Sequence, residues 1–520
     1  MKIRTLALAA ALLASPLALP SLAQAAAKPD AKAKAEAHAE DGIAWFHGDV
    51  DAAFAYAKKH NKPLFLYWGA VWCPPCNQVK ATVFNRQGFI ERSRFFVPVH
   101  IDGDGPSAQK LGARFKVRGY PTMILFQPDG SEITRLPGEV DSERYLQVLE
   151  LGMNAGHTVK DTLRLAQTDA AKLTPQDWRL LAYYSWDTDE GQMISARELP
   201  ATLQALAAAC PPGDTGVHLG LSALVAAATA EPGNAPANDK AAANALLLRV
   251  LGDAKLARDN MDILTNYAGD IVGYVSAAGT PERAKLTDTF NAALEKLADD
   301  KTLSKADRIA AIDAKVAIAR LDTPQGPLAS ALVEEVKQRV ATADHETTDL
   351  YERQSVINNA GHTLTDAGLL DESDTLLKAE LKRSHSPYYY MLSLAGNAKK
   401  RGNNAEALNW YEQAYGAAKG PATRLQWGAN YLANLIELAP ADDTRIEKTA
   451  DSIIGELAGT QNAFYERNRT ALEKIGHKMT AWNADGKHDA VFQHVHQEFQ
   501  DVCSKLPAGD PQKATCLAVM

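Results

Sequence analysis

Beyond its first residues the chain has no apolar stretch approaching the roughly 20 residues that a membrane-spanning helix needs, so no span is expected in the mature protein. It has no basic run of the kind that tracks a phosphate backbone. Its formal charge of −8 over 520 residues also argues against nucleic acid as a partner. Paired catalytic carboxylates, a phosphate-cradling glycine loop and a nucleophilic serine motif are all missing. Cysteine is scarce, with five at positions 73, 76, 210, 503 and 516. The odd count leaves at least one thiol free or paired outside the chain.

What is present begins with an export pattern. A charged head, Met1-Lys2-Ile3-Arg4, precedes an apolar body over 5–14, and Ala23-Gln24-Ala25 supplies a small-x-small cleavage pattern. This predicts a signal peptide over 1–25, removed behind Ala25, and a periplasmic protein in a compartment that permits disulfides. No cysteine lies near the cut, so a lipid anchor is not expected. Residues 26–41 carry Ala, Lys, Glu, Asp and His without apolar periodicity and read as a flexible linker. At this length two or more domains are expected.

Residues 42–156 read as one α/β unit. Residues 43–46 are expected to form a short strand, 49–60 a helix stopped at Asn61-Lys62-Pro63, and 63–69 a buried strand. A helix carrying two cysteines follows to about residue 93, then a strand over 95–101, a turn over 102–106 and a short helix over 107–115. Strands over 122–126 and 132–135 are joined by Gln127-Pro128-Asp129-Gly130, with Pro and Gly where a hairpin turn wants them. A helix over 141–155 closes the unit, giving the order βαβαβαββα.

The chemistry concentrates in Trp72-Cys73-Pro74-Pro75-Cys76, at the junction of the buried strand and the next helix. Unpaired N–H groups and the positive dipole end at a helix N-terminus favour thiolate over thiol. Cys73 lies at the helix mouth and Cys76 one turn further in, an arrangement suited to an attacking and a resolving sulfur. The other readings of a Cys-x-x-Cys are half a zinc site or a static disulfide. Zinc needs two further ligands, and no second Cys pair or close His accompanies the first, so no metal is expected.

Further on stands Gly119-Tyr120-Pro121-Thr122. Together with Trp72-Cys73-Pro74-Pro75-Cys76 it resembles the thioredoxin superfamily, whose element order the 42–156 unit also matches. The resemblance implies that Cys73 is the nucleophile, Cys76 the resolving thiol, and that the two form a redox-active disulfide. It further implies that Pro121 is a cis-proline facing the cysteines, that the backbone of Tyr120 pairs with an extended substrate segment, and that Trp72 shields one side. Two departures stand out. Thioredoxins place a buried Asp where this chain has Tyr67, and the Lys that often follows the second Cys is Asn77, with Lys80 one turn on. Among relatives, prolines between the cysteines are commoner in reductases, whereas Gly-Tyr-Pro-Thr resembles the protein disulfide isomerase pattern. A reductase or interchange role is expected over an oxidase, with no cofactor.

Beyond residue 157 strand signals vanish, and 157–520 reads as an all-α domain of successive helices. Thr174, Thr280, Ser304 and Asn403 are expected N-caps. Gly368 and Gly402 lie 34 residues apart, each between two helical stretches, with Leu364 over Ala398, Ser373 over Ala407 and Leu377 over Tyr411. This resembles a tetratricopeptide repeat, although Met391 and Lys419 depart from its pattern, and implies a helical-repeat superhelix built by stacking. Tyr388, Tyr389, Tyr390, Trp410 and Tyr411 read as core.

Cys503 and Cys516 flank a Pro/Gly-containing loop and are expected to form a structural disulfide; Cys210 reads as a small buried residue. His494 and His496 project to opposite sides of a helix, and His488 is two turns from His496, so a solvated helix is expected there. The expected protein is an exported thiol–disulfide oxidoreductase. Its partners are client proteins with disulfides and a thiol electron donor, and the helices would recognise the clients. The alternative is a helical-repeat binding or chaperone-like protein in which the thioredoxin fold is a docking module.

Overall fold

The computed structural model describes residues 42–138, 141–234 and 239–519. The expected signal peptide and linker, 1–41, lie outside them. Helix α1, Val50–His60, starts where the Asp49 carboxylate accepts the Ala52 N–H at 2.7 Å, and stops at Asn61 in the left-handed region, φ 50°. Strand β1, Leu64–Gly69, pairs parallel to β2, Val97–Asp102, and antiparallel to β3, Thr122–Phe126. The hairpin partner β4, Glu132–Leu136, completes a sheet of order β2-β1-β3-β4. Every residue of β1 is buried, as a strand covered on both faces requires.

The period of two along β1 sorts its side chains into two cores. Leu64, Leu66 and Trp68 join Val97, Val99, Ile124 and Phe126 under α1 and α4, the latter spanning Ala108–Phe115. Phe65 and Tyr67 face the other way, towards Val83, Phe84, Phe89 and Tyr145. On that side the sheet is covered by α2, Pro74–Val79, α3, Gln87–Ser93, and α5, Ser142–Met153.

Two expectations need correction. Residues 43–46 form no strand. Phe46 N–H donates to Pro98 O at 2.8 Å, but Pro98 has no N–H to return, so no ladder develops at that edge of β2. The cysteine-bearing helix does not run unbroken to residue 93. A wider π turn over Lys80–Phe84 brings adjacent Val83 and Phe84 into the same core as Val79, and Arg86 is extended at ψ 136° before α3 begins.

After α5 every regular element among the described residues is helical. The expected caps are in place: Thr174 forms a reciprocal capping box with Asp177, and Thr280, Ser304 and Asn403 each accept the backbone N–H three residues on. The 34-residue spacing corresponds to two helix pairs, Leu350–Asp366 with Leu370–Glu380 and Pro387–Lys400 with Asn404–Ala417. Gly368 and Gly402 adopt φ 83° and 75° at the two turns, a region glycine enters without a Cβ clash. The paired positions Leu364, Ala398, Ser373, Ala407, Leu377 and Tyr411 are all buried.

The helices do not stand apart from the sheet. The core holding Phe65 and Tyr67 continues into Trp178, Leu181, Tyr183, Leu203 and Leu219. A separate large core joins Trp72, Cys73 and Cys76 to Tyr388, Trp427, Tyr431 and helices nearer the C-terminus. Cys210 is half-buried rather than buried, and burial pushes its thiol up. Among the described residues no helix is long and apolar enough to cross a membrane.

Candidate active site

Strand β1 ends at Gly69, and four residues later the chain turns into α2 with Cys73 as its N-cap. Pro74 and Pro75 occupy the first helical positions, where the absent N–H groups would have lacked an intrahelical acceptor. Cys73 and Cys76 form a disulfide, their Cα atoms 5.2 Å apart. The Cys76 N–H points at Cys73 Sγ, 3.1 Å away, so the helix terminus is aimed at the sulfur that would carry negative charge.

Asn77, where relatives often carry Lys, is buried. Its side-chain amide donates to Val71 O and to Cys73 O, both at 2.9 Å, and so pins the loop before α2 to the helix. Pairing of Trp68 with Thr122 brings the β3 entry alongside the segment that follows β1. At that entry Tyr120–Pro121 is a cis peptide. The Tyr120 hydroxyl accepts from Gln109 at 3.2 Å, Gln109 also donates to Gly103 O, and burial pushes the phenol up. Tyr67, at the position of the usual acid, is buried, stacks on His100 and meets Phe84 edge-on. A phenol is not ionised near neutral pH, so it does not replace that carboxylate as a base.

Sequence reasoning missed the other wall of the site, which comes from the helices. Cys73 is 2% exposed and Cys76 0%. The Trp72 indole N–H donates to Thr423 Oγ1 at 2.7 Å, and that hydroxyl donates in turn to Asp104 at 2.6 Å. Asp104 also accepts the Thr423 backbone N–H at 2.7 Å; burial raises its carboxyl, and these two bonds oppose the rise. Tyr389 stacks on Trp72 with ring centres 5.7 Å apart, and Trp427 meets it edge-on at 4.8 Å. The Arg467 guanidinium lies 4.8 Å over the ring of Tyr120 and 5.7 Å over that of Trp72.

Gln354 donates to Trp72 O, and His385 Nε2 lies 3.1 Å from Val71 O, which can only accept. Behind α2, Gln78 donates to Asp307 at 2.6 Å, and burial lifts that carboxyl to about 6. Of the residues expected at the site, Trp72, Cys73 and Cys76 share one core, the Tyr120 ring lies 6.1 Å from that of Trp72, and cis-Pro121 follows Tyr120 in the chain. Thr423, Trp427, Gln354 and Arg467 carried no local signal. Tyr389 did lie in an aromatic run, expected as core, of which Tyr388 and Tyr390 are buried and Tyr389 lines the site.

Cys503 and Cys516 are joined as a second disulfide, both fully buried in the C-terminal helices. His488 stacks on Trp482 and lies 2.8 Å from Asp443, while His494 faces Asp451 at 3.5 Å and Glu498 at 3.7 Å. Asp451, His494 and Glu498 bring ligand-type atoms within 4.8 Å of one another, an exposed to half-buried cluster of the kind that surface ion pairs form.

The family described as Thioredoxin-like domain matches residues 50–152. A thiol:disulfide interchange protein DsbD of Pseudomonas fluorescens is 31% identical over 103 residues, which is 19% of this chain and 18% of that protein. The chain thus spans under a fifth of that relative's length. A thioredoxin of Mycobacterium bovis is 31% identical over 90 residues, 17% of this chain and 73% of that protein. A solution structure of a thioredoxin from Thermus thermophilus aligns at 26% identity over 21% of this chain and 85% of that one, with a TM-score of 0.20.

Proposed function

The chain belongs to the thioredoxin family through residues 50–152, and on that premise we propose that it is an exported, periplasmic thiol–disulfide oxidoreductase that reduces or interchanges disulfides of client proteins. The observation that carries this is the Cys73–Cys76 disulfide, set with Cys73 as the N-cap of α2 and the Cys76 N–H aimed at its sulfur. In the reduced protein the Cys73 thiolate attacks a client disulfide, forming a Cys73–client disulfide and releasing one client thiolate. Cys76 then gives up its proton to solvent and its thiolate attacks Cys73 Sγ, re-forming the intramolecular disulfide and releasing the second client sulfur as a thiolate that takes up a proton from water. The client gains two electrons, and a thiol donor returns two to the Cys73–Cys76 pair.

The helical domain, 157–520, with its tetratricopeptide-like pairs, selects what reaches the sulfurs. Supporting this, the helices Leu350–Asp366, Pro387–Lys400 and Pro421–Leu438 supply Gln354, Tyr389, Thr423 and Trp427 to the wall around Trp72. With Cys73 at 2% exposure, a protein disulfide reaches it only after these helices move off the thioredoxin-like unit. Substrate contact through the backbone of Tyr120, beside Pro121, needs the same opening.

Mixed-disulfide trapping tests the reading. Cys76→Ser in the full chain should accumulate Cys73-linked clients from a periplasmic extract, and Cys73→Ser should abolish disulfide reduction. No captured client and no loss of reduction would refute it. The burial of Cys73 also favours a second reading, a helical-repeat binding protein with the thioredoxin unit as a docking module. That reading requires clients to bind the Cys73→Ser protein normally and the cysteines to stay inert when clients are present.

A further inference from the structure

A cavity of about 250 Å³ lies away from the disulfide. It opens between Pro137 and Gly138 after β4, residues 182–187 at the end of the helix Pro175–Ala182, and the helices Leu199–Ala209, Asp214–Ala228 and Met261–Asn266. Its walls are mainly aromatic and aliphatic, with Tyr183, Tyr184, Trp186 and Tyr267 prominent, and its polar groups include Asp262 and His218. This is the composition of a small-molecule site: an apolar body with a few convergent polar atoms.

Five donors of the wall are committed within the protein. The Tyr184 hydroxyl is committed to Asp189 at 2.6 Å and the Trp186 indole N–H to Leu181 O at 3.2 Å. The hydroxyls of Ser222, Ser185 and Thr229 donate to His218 O, Asp187 and Val225 O. The Asn260 amide donates to Leu256 O, so its oxygen faces His218 Nδ1 at 2.7 Å and accepts from it, which leaves His218 Nε2 as an acceptor. His218 stacks on Tyr183 with centres 4.3 Å apart, and burial holds its pKa down at about 4, so the ring is neutral at pH 7.

Asp262 stands in the first turn of its helix with no ion-pair partner among the described residues. The neighbouring cations are engaged elsewhere, Arg144 with Asp259 at 2.7 Å and Arg258 with Asp141 at 2.8 Å and Asp300 at 3.0 Å. Burial lifts its carboxyl to about 7, the nearby charges being Asp141, which raises it further, and Arg144, which lowers it. The side chain is half-buried, and the backbone N–H groups of Ile263 and of Asp262 itself engage its carboxylate without neutralising it, so it remains open to a cation. The cavity thus offers a carboxyl group that a bound cation would hold ionised, an accepting imidazole nitrogen and π faces.

We propose that this cavity binds a small apolar compound carrying a primary ammonium group, with the ammonium on Asp262 and the body against Tyr184, Trp186 and Tyr267. Cation–π attraction and a desolvated charge pair both favour the ammonium over a neutral isostere. The volume suits a ligand of about ten non-hydrogen atoms.

Calorimetric titration of the full chain with 2-phenylethylamine, 2-phenylethanol and 3-phenylpropionate tests this. The amine should bind saturably, with the alcohol at least about tenfold weaker and the carboxylate undetectable. Asp262→Asn should weaken the amine about tenfold and leave the alcohol unchanged. Cys73→Ser should bind the amine as wild type does, so this result stands or falls independently of the redox reading. Absence of saturable amine binding up to about 10 mM, or equal affinity for amine and alcohol in the wild-type chain, overturns the proposal.

Discussion

The indole N–H of Trp72 donates to the hydroxyl of Thr423 at 2.7 Å, joining residues 351 positions apart. Trp72 immediately precedes the Cys73–Cys76 pair, and Thr423 lies in the first turn of the helix Pro421–Leu438. The same hydroxyl donates to Asp104, so one side chain ties the redox loop and the loop after β2 to the helical domain. Both ends of this link are buried or half-buried, where a lost partner costs more than a made bond gains.

Thr423→Val keeps the volume and removes the hydroxyl, leaving the Trp72 N–H and an Asp104 oxygen without it. Stability should fall by about 1–3 kcal/mol. Because the helices cover the cysteines, the reduced variant should also be alkylated faster at Cys73 by iodoacetamide, by about tenfold or more. Mass spectrometry of the alkylation time course beside a urea unfolding curve checks both. An unchanged alkylation rate in a destabilised variant would show that this link does not hold the site closed.

Asn77→Ala removes two donors from Val71 O and Cys73 O inside a buried loop. Urea unfolding of the oxidised protein should show a loss of about 1–3 kcal/mol. The reduction potential of the Cys73–Cys76 couple should shift as well, measured by equilibration with glutathione, since the amide fixes the loop that carries Cys73.

Asp307 gives a pH dependence with a definite sign. Burial raises its pKa from 3.8 to about 6 in the folded protein. The folded state therefore holds the proton more tightly than the unfolded chain. That contribution to stability is full below about pH 4 and is lost as pH rises through about 6. Asp307→Asn should flatten this part of the stability profile between about pH 4 and pH 7, by about 1–2 kcal/mol. Urea midpoints across that range test it, and a variant with the wild-type slope would assign the slope to other groups.

The Cys503–Cys516 disulfide closes a loop far along the chain from the redox pair. Replacing both residues with Ser should cost about 3 kcal/mol by the loop-entropy account. The rate at which Cys73 and Cys76 turn over a small disulfide should stay unchanged. Thermal unfolding and a reduction assay on the same preparation separate the two effects.

Much of the thioredoxin-like unit was legible because its signals act over a few residues. Asp49 caps α1 three residues away, β1 alternates its side chains between two cores, and the Gln127–Gly130 turn joins neighbouring strands. The strand expected over 43–46 failed for a non-local reason, since its partner edge offers Pro98, which cannot donate. The helix through Lys80 failed because packing both Val83 and Phe84 into one core needs a wider turn than the local pattern suggests.

By itself the sequence determined the reactive pair, its place at a strand-to-helix junction, the family and the change to an all-helical chain, since each rests on near neighbours or a short motif. Only the tertiary structure decided that Trp72, Cys73 and Cys76 lie beneath helices, that Asn77 locks their loop and that Asp262 and His218 share a cavity. Those outcomes depend on which surfaces meet after several hundred residues of chain have folded back, and the apolar faces of the helices are alike enough in sequence that only packing distinguishes which one covers the disulfide.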